Sequence, residues 1–232
     1  MRDDGGDLVL VGSGGFGRET AEAVRALMAA GIPWHLLGFV DDDPALAGKV
    51  IDGTPVIGGR DELRRLANAR VAICTGRPDD YVSRPRIVSE LGLGAERYAT
   101  IVHPAAVVSS SSSIGHGTVL LANTVLTAAV RVGAHVAVMA HVTLTHDDVI
   151  EDFATLASRS VLGGGARVSR GAYIGAGAVV GQGLVVGELA LVGMGAVVTR
   201  NVPAREVWAG VPARRMRDTA IPGEPGMYPF RD

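Results

Sequence analysis

Three groups of side chains in this 232-residue sequence are of types that do chemistry. The first is His146 followed directly by Asp147. Imidazole is the side chain best suited to moving protons near neutral pH, and a neighbouring carboxylate raises its basicity by favouring the charged form. Such a pair can serve as a general base, although an exposed histidine at a turn fits the residues equally well. The second is Gly12-Ser-Gly-Gly-Phe-Gly17, a G-x-G-x-x-G run whose missing side chains let backbone N–H groups approach a phosphate. Asp41 lies 24 residues after Gly17 and could take a ribose hydroxyl, as in dinucleotide enzymes. The third is Arg214-Arg215, suited to phosphate groups or simply to solubility. Cys74, the one cysteine, reads as a small buried hydrophobe rather than a nucleophile.

The elements that must position these groups fall into two halves. Up to about residue 100, strand and helix signals alternate. Leu8–Val11 reads as a strand running into the glycine loop, and Arg18–Ala29 carries Ala21, Val24 and Leu27 at helical spacing before Gly31 and Pro33 stop it. Leu36–Val40 reads as a second strand, Asp61–Asn68 as a short helix, Val71–Thr75 as a third strand and Ser83–Leu91 as another helix. This alternation predicts a parallel, doubly wound, Rossmann-like sheet over residues 1–100.

From residue 101 the period changes to six. Every sixth residue from Val102 to Val198 is Val, Ile or Leu, through sixteen unbroken steps that include Ile114, Leu144, Ile174 and Val192. Two residues earlier sits a mostly small residue, such as Ala106, Ser112, Thr118, Ala154 or Ala172, and glycine often follows the aliphatic one. A six-residue period is the hexapeptide signature of a parallel β-helix. Three hexads close one triangular coil of eighteen residues, so the run predicts a little over five coils, with glycines permitting the corners. The run Ser109–Ser113 keeps the register and belongs to the first coil.

The coil geometry also bears on metal binding. His141-x-x-x-x-His146 has the spacing of the γ-class carbonic anhydrases, which are β-helical, but zinc of that kind needs a third histidine. The residues stacked one and two coils before His141 are Asn123 and Ala105, and His135, His116 and His103 fall off that row. A metal-dependent hydratase is therefore the lesser alternative, and no metal is expected.

The hexapeptide run, the ending Trp208-Ala-Gly-Val-Pro-Ala-Arg-Arg215, the pair His146-Asp147 and the N-terminal glycine loop together resemble the bacterial sugar acyltransferases, from about Leu8 to Arg215. These include sialic acid O-acetyltransferases and N-acetyltransferases of nucleotide-linked amino sugars. The resemblance implies a left-handed β-helix over residues 101–232 with a C-terminal tail, and a homotrimer with sites at subunit boundaries. It also implies acetyl-CoA as co-substrate, a nucleotide-linked amino sugar as acceptor, and N-acetylation, with O-acetylation as the alternative. His146 becomes the base and Asp147 its partner. Gly14, Gly15, Phe16, Asp41, Asp42 and Gly76 become substrate contacts, and Thr155, Ala176, Met194 and Arg214 contacts for coenzyme A. The sequence departs from the family at Phe16, where many relatives have histidine, and at Gly76-Arg-Pro-Asp-Asp80. Thr155 departs likewise, since some relatives carry a histidine nine residues after the base.

Two features favour this over a dehydrogenase. The α/β half is one mononucleotide unit rather than two, and no second nucleotide half follows. Composition agrees in general terms: 4% aromatic residues and 32 glycines suit small stacked β units. A net charge of −2 carries no electrostatic footprint for nucleic acid. The first apolar run is too short for a signal peptide, and no long apolar stretch suggests a membrane span, so a cytoplasmic protein is expected.

Overall fold

A computed structural model describes residues 5–219. In the N-terminal half, β1 (Gly6–Val11), β2 (Trp34–Val40), β4 (Thr54–Gly58) and β5 (Arg70–Ile73) are parallel, and β3 (Val50–Ile51) pairs antiparallel with β4. The sheet order is β3-β4-β2-β1-β5. β1 is central, and Leu8 through Val11 are all buried, as a strand covered on both faces requires. On one face lies α1 (Gly15–Ala29), burying Ala21, Val24 and Leu27 against Leu8, Leu10 and Phe39. On the other, α2 (Ser83–Leu91) packs Ile87 against Val9, Val11 and Ile73. The strands begin earlier than read from the sequence, the expected helix at Asp61–Asn68 is a 3-10 turn at Arg60–Arg64, and the β3–β4 hairpin was not foreseen.

The second half winds as a parallel β-helix whose first rung is Ile101–Val102 and last is Val197–Val198. Each two-residue rung pairs with the rung eighteen residues on, as Val125 with Thr143 and Thr143 with Val161. Three sheets result, and the column Leu120, Leu126, Val132, Val138, Leu144 and Ile150 fills the axis with almost no exposure.

The corners correct the sequence reading. Glycines directly after the inward aliphatic residues do not have left-handed backbone; they are required by close stacking. A Cβ on Gly175 would lie 2.5 Å from the Met194 nitrogen in the next coil. The left-handed position is two residues further on, and from Gly117 to Gly195 every sixth residue occupies it. In the middle coils it is filled by Asn123, Ala129, His135, His141, Asp147, Phe153 and Arg159 rather than by glycine.

The three outer faces differ. One carries Ile101, Val119, Ala137, Thr155, Tyr173 and Leu191 and is covered by the chain's own N-terminal half. α1 packs there against Ile101, Val119 and Leu121, and Tyr81 packs on Tyr173 at 5.8 Å while donating to the Leu189 carbonyl at 2.9 Å. A second face displays Ser113, Arg131, Val149, Arg167 and Val185, and a third displays Val107, Val125, Thr143, Val161, Val179 and Val197.

Arg84, from α2, fastens the two halves. It is 1% exposed, and no carboxylate partners it among the described residues. Nε donates to the His135 carbonyl at 3.0 Å and Nη1 to the Thr75 carbonyl at 2.6 Å. Nη2 donates to the carbonyls of Phe153 and Ala154 at 2.8 and 3.1 Å and to the Thr155 hydroxyl at 2.6 Å. Burial pulls the guanidinium down to about 10, which still leaves it charged at neutral pH. Arg84→Ala would strand these buried acceptors, each costing roughly 1 kcal/mol or more. The apparent Tm is expected to fall by roughly 10–20 °C in a thermal melt; a change under about 1 °C would refute the clamp.

Candidate active site

The glycine loop divides into two kinds of glycine. Gly12 has φ +97°, and a Cβ there would sit 2.9 Å from the Thr75 side chain. A Cβ on Gly17 would run into the Gly12 carbonyl. These two are required by the tight passage from strand to helix. Gly14 and Gly15 face open space, with no atom within 4 Å of an added Cβ. Gly14 caps α1 without a side-chain hydrogen bond, and the first turn holds no acidic residue. The positive end of the helix therefore opens onto unfilled space, where an anion is favoured. Phe16 turns partly inward onto the cluster around α1.

Both aspartates after β2 are engaged by the chain itself. Asp41 accepts from the Ser13 nitrogen at 2.9 Å, the Ser13 hydroxyl at 2.6 Å and the Asp43 nitrogen at 3.1 Å. Burial pushes its carboxyl upward, but these bonds outweigh it and hold the group below the ordinary range. Asp42 accepts from the Arg60 backbone and from Arg60 Nε, at 3.1 and 2.5 Å, and Arg60 also meets Glu90 at 2.5 Å. The two carboxylates thus fasten the loops after β1 and β4 around the open end of α1.

Gly76 follows β5 with φ +131°, and a Cβ there would collide with Arg84 Nη1. Thr155 lies in the same seam. Expected to meet coenzyme A, it is 1% exposed and its hydroxyl accepts from Arg84 Nη2 at 2.6 Å. Its rung belongs to the face that the N-terminal half covers.

His146 and Asp147 occupy the corner between the Thr143–Leu144 and Val149–Ile150 rungs. His146 Nδ1 lies 2.9 Å from Asp147 Oδ2, and both side chains are more than half exposed. Neighbouring side chains converge because Asp147 has φ +64°, which folds the chain back at that residue. The imidazole extends over Gly164 in the next coil, where any Cβ would collide with it. No hydrogen bond from the described residues reaches Nε2. Beneath the pair lies Asp148, fully buried, accepting from the Thr145 and Ala166 nitrogens at 2.7 and 2.9 Å. Sequence reasoning passed over Asp148, and also over Arg84.

Ala176 and Met194 lie on a different corner, the one that bounds the other edge of the valine-lined face; Met194 is 67% exposed. Arg214 is exposed and opens the antiparallel strand Arg214–Asp218 that closes the helix end, whereas Arg215 is paired with Glu206 and Asp218. His141 stands at the opposite end of the Thr143–Leu144 rung from His146, with Asn123 3.5 Å away. Among the described residues no group of three or more His, Cys, Asp or Glu converges as a metal site would. His135 is a core residue, stacked on Phe153 at 5.1 Å, and burial pushes it down to about 4. Burial pushes the Cys74 thiol up to about 12, which makes it a poor nucleophile. No helix among the described residues is long and apolar enough to cross a membrane.

A Rossmann-like domain mounted on a left-handed hexapeptide β-helix makes the chain similar to several sugar acetyltransferases. Residues 7–82 match the PglD N-terminal domain family. UDP-N-acetylbacillosamine N-acetyltransferase of Bacillus subtilis (strain 168) is 34% identical over 122 residues, which is 50% of this chain and 51% of that relative. The chain therefore matches about half the length of this curated relative. The acetyltransferase domain of PglB from Neisseria gonorrhoeae aligns with a TM-score of 0.79 and 28% identity, covering 90% of this chain and 99% of that one. PerB from Caulobacter crescentus, in complex with CoA and GDP-perosamine, gives a TM-score of 0.79 and 28% identity over 91% and 97% of the two chains.

The buried carboxyl makes stability depend on pH. Burial pushes Asp148 from 3.8 up to about 6, against the pull of the Thr145 and Ala166 backbone bonds and of His146. A carboxyl whose pKa is higher folded than unfolded binds its proton more tightly when folded, so raising the pH through about 4 to 6 weakens the fold. Asp148→Ser removes this contribution. Its Tm relative to wild type should rise between pH 4 and pH 7 by the equivalent of about 1–3 kcal/mol. A difference independent of pH would contradict the buried ionisation.

Proposed function

We propose that the protein is an acetyl-CoA-dependent N-acetyltransferase acting on a nucleotide-linked amino sugar. The observation that carries this reading is His146, with Nδ1 turned to Asp147 and Nε2 without a partner among the described residues. In this mechanism Nε2 takes a proton as the sugar amine attacks the thioester carbonyl. The carbon–sulfur bond then breaks and the departing thiolate recovers a proton. Asp147 stabilises the imidazolium formed on the way. The nucleotide lies at the open end of α1, before Gly14 and Gly15, within loops set by Asp41, Asp42 and Gly76. N- rather than O-acetylation is favoured by relatives described as N-acetyltransferases, one of them solved with CoA and GDP-perosamine. The reading places the enzyme in the cytoplasm, in keeping with the free thiol of Cys74.

Thiol release measured across a panel of nucleotide-linked amino sugars tests the acceptor class. His146→Ala should lower turnover by about 100-fold or more while leaving the fold intact. Activity within a few-fold of wild type would remove His146 from the mechanism.

The assembly we infer is a homotrimer. On the uncovered valine face, Val107 is 61% and Val179 39% exposed, with Val125, Val161 and Val197 half-buried beside them. Val119 and Leu121 are buried under the N-terminal half and take no part. The His146 corner bounds one edge of the valine face and the Ala176–Met194 corner bounds the other. Packing three copies about an axis covers the valines and brings one copy's base corner to the next copy's coenzyme A corner, where Arg214 suits the phosphates. Light scattering should give about three times the 23.9 kDa chain; a stable, active monomer at micromolar concentration would defeat both the trimer and the shared site.

A further inference from the structure

The position two residues before each inward aliphatic recurs every six residues and is largely buried. From Ala106 to Ala196 it holds Ala, Ser, Thr, Val or Leu at every turn except one. The exception is Asp148, the residue that closes the turn bearing His146. Its Oδ1 accepts the Ala166 nitrogen of the next coil, a staple that a neutral hydroxyl makes elsewhere in the row. Ser112 Oγ accepts the Val130 nitrogen at 3.1 Å, and Thr118 Oγ1 accepts the Val136 nitrogen at 3.0 Å. The staple therefore needs no charge, and burying one carries a desolvation penalty that a serine would avoid.

What distinguishes this turn is its load. Asp148 Oδ2 reaches back to the Thr145 nitrogen at 2.7 Å, closing a turn whose two central residues are His146 and Asp147. From the next coil the Gly165 nitrogen donates to the His146 carbonyl at 2.8 Å. The charged or titratable groups facing Asp148 are few. Its own coil offers His146 and Asp147. The preceding coil, Thr127–Val130, and the following coil, Gly163–Ala166, offer none, and the Arg167 guanidinium beyond is turned to Glu151 at 2.8 Å. The cation within reach of this carboxylate is the imidazolium of His146.

We infer that Asp148 is a positioning residue for His146: it fixes the turn carrying the imidazole and, when ionised, stabilises the protonated ring from below as Asp147 does from the side. The inference rests on the reading of His146 as general base only for its kinetic consequence. Two carboxylates then act on one imidazole, an exposed one that orients Nδ1 and a buried one whose field is little screened by solvent. Burial raises Asp148 to about 6, so it is mostly charged at neutral pH and above and loses its charge as the pH falls through 6.

The test is an NMR titration of the His146 ring nitrogens in the full-length protein, for wild type, Asp148→Ser and Asp148→Asn, alongside the pH profile of kcat/KM. Both variants should lower the apparent His146 pKa by about 0.5–1 unit, and the wild-type curve should show a second inflection near the Asp148 transition. Serine keeps the staple to Ala166, so a role confined to folding would leave the ring titration in place. An unchanged His146 titration in either folded variant overturns the inference, as does a wild-type curve with a single inflection. A shifted ring titration with an unmoved acid limb of kcat/KM supports the coupling to Asp148 and instead defeats the assignment of His146 as base.

Discussion

Everything in the second half depends on one spacing: each coil hydrogen-bonds to the coil eighteen residues away, with backbone closer to backbone than most side chains allow. That spacing dictates the glycines beside the inward aliphatic residues, the small residues before them, and a left-handed residue at each corner from Gly117 to Gly195. The last requirement is the expensive one, since a non-glycine residue with positive φ costs on the order of 1 kcal/mol. In the later coils Gly165, Gly171, Gly177 and Gly183 relieve it. In the middle coils Asp147 and its neighbours do not. At Asp147 the left-handed backbone is put to use, because it turns a carboxylate back toward the preceding imidazole, a convergence that adjacent residues in extended chain do not achieve.

The second dependence is the seam between halves. A guanidinium with no carboxylate beside it is an unusual clamp, yet its geometry suits carbonyl groups arriving from three directions. Arg84 gathers the Thr75 carbonyl, from the loop after β5, and the corner carbonyls at His135 and Phe153. The loop that ends in Gly76 is thereby tied to the same coil that carries His146. This explains why position 76 admits no side chain, and why a hydroxyl at 155 finds a partner in the seam.

Much of this was legible in the sequence. The sixteen steps of aliphatic residues announce the coil, its pitch and its axis, because a buried column admits few residue types. The roles of Gly12 and Gly17 follow similarly from the strand–loop–helix pattern. Other features were hidden for definite reasons. Val119 and Leu121 look like free outer-face residues until α1 is seen lying on them, which no local period reveals. The β3 strand is two residues long, below the length at which alternation can be recognised. Asp148 sits among charged neighbours in the sequence and resembles a solvated turn; its burial appears only when the six-residue row is followed coil by coil. Arg84 likewise looks like one more exposed arginine on a polar helix.

The placement of the imidazole on a β-helix corner, rather than on a mobile loop, has a mechanistic meaning. Its turn is fixed from within by Asp148 and from the next coil through Ala166 and Gly165, while Gly164 leaves room for the ring and no more. For the base proposed at His146, such presentation would remove the entropy of finding the reactive geometry at each turnover, the term in which positioning contributes most to rate. The opposite holds at the sheet, where Gly14 and Gly15 present bare backbone to open space. Side chains around that opening can be exchanged without disturbing the coil stack. In the proposed reaction the two halves thus divide the work physically: the coil stack would hold His146 in place as proton acceptor, and the sheet offers a loop-built recess for the acceptor substrate.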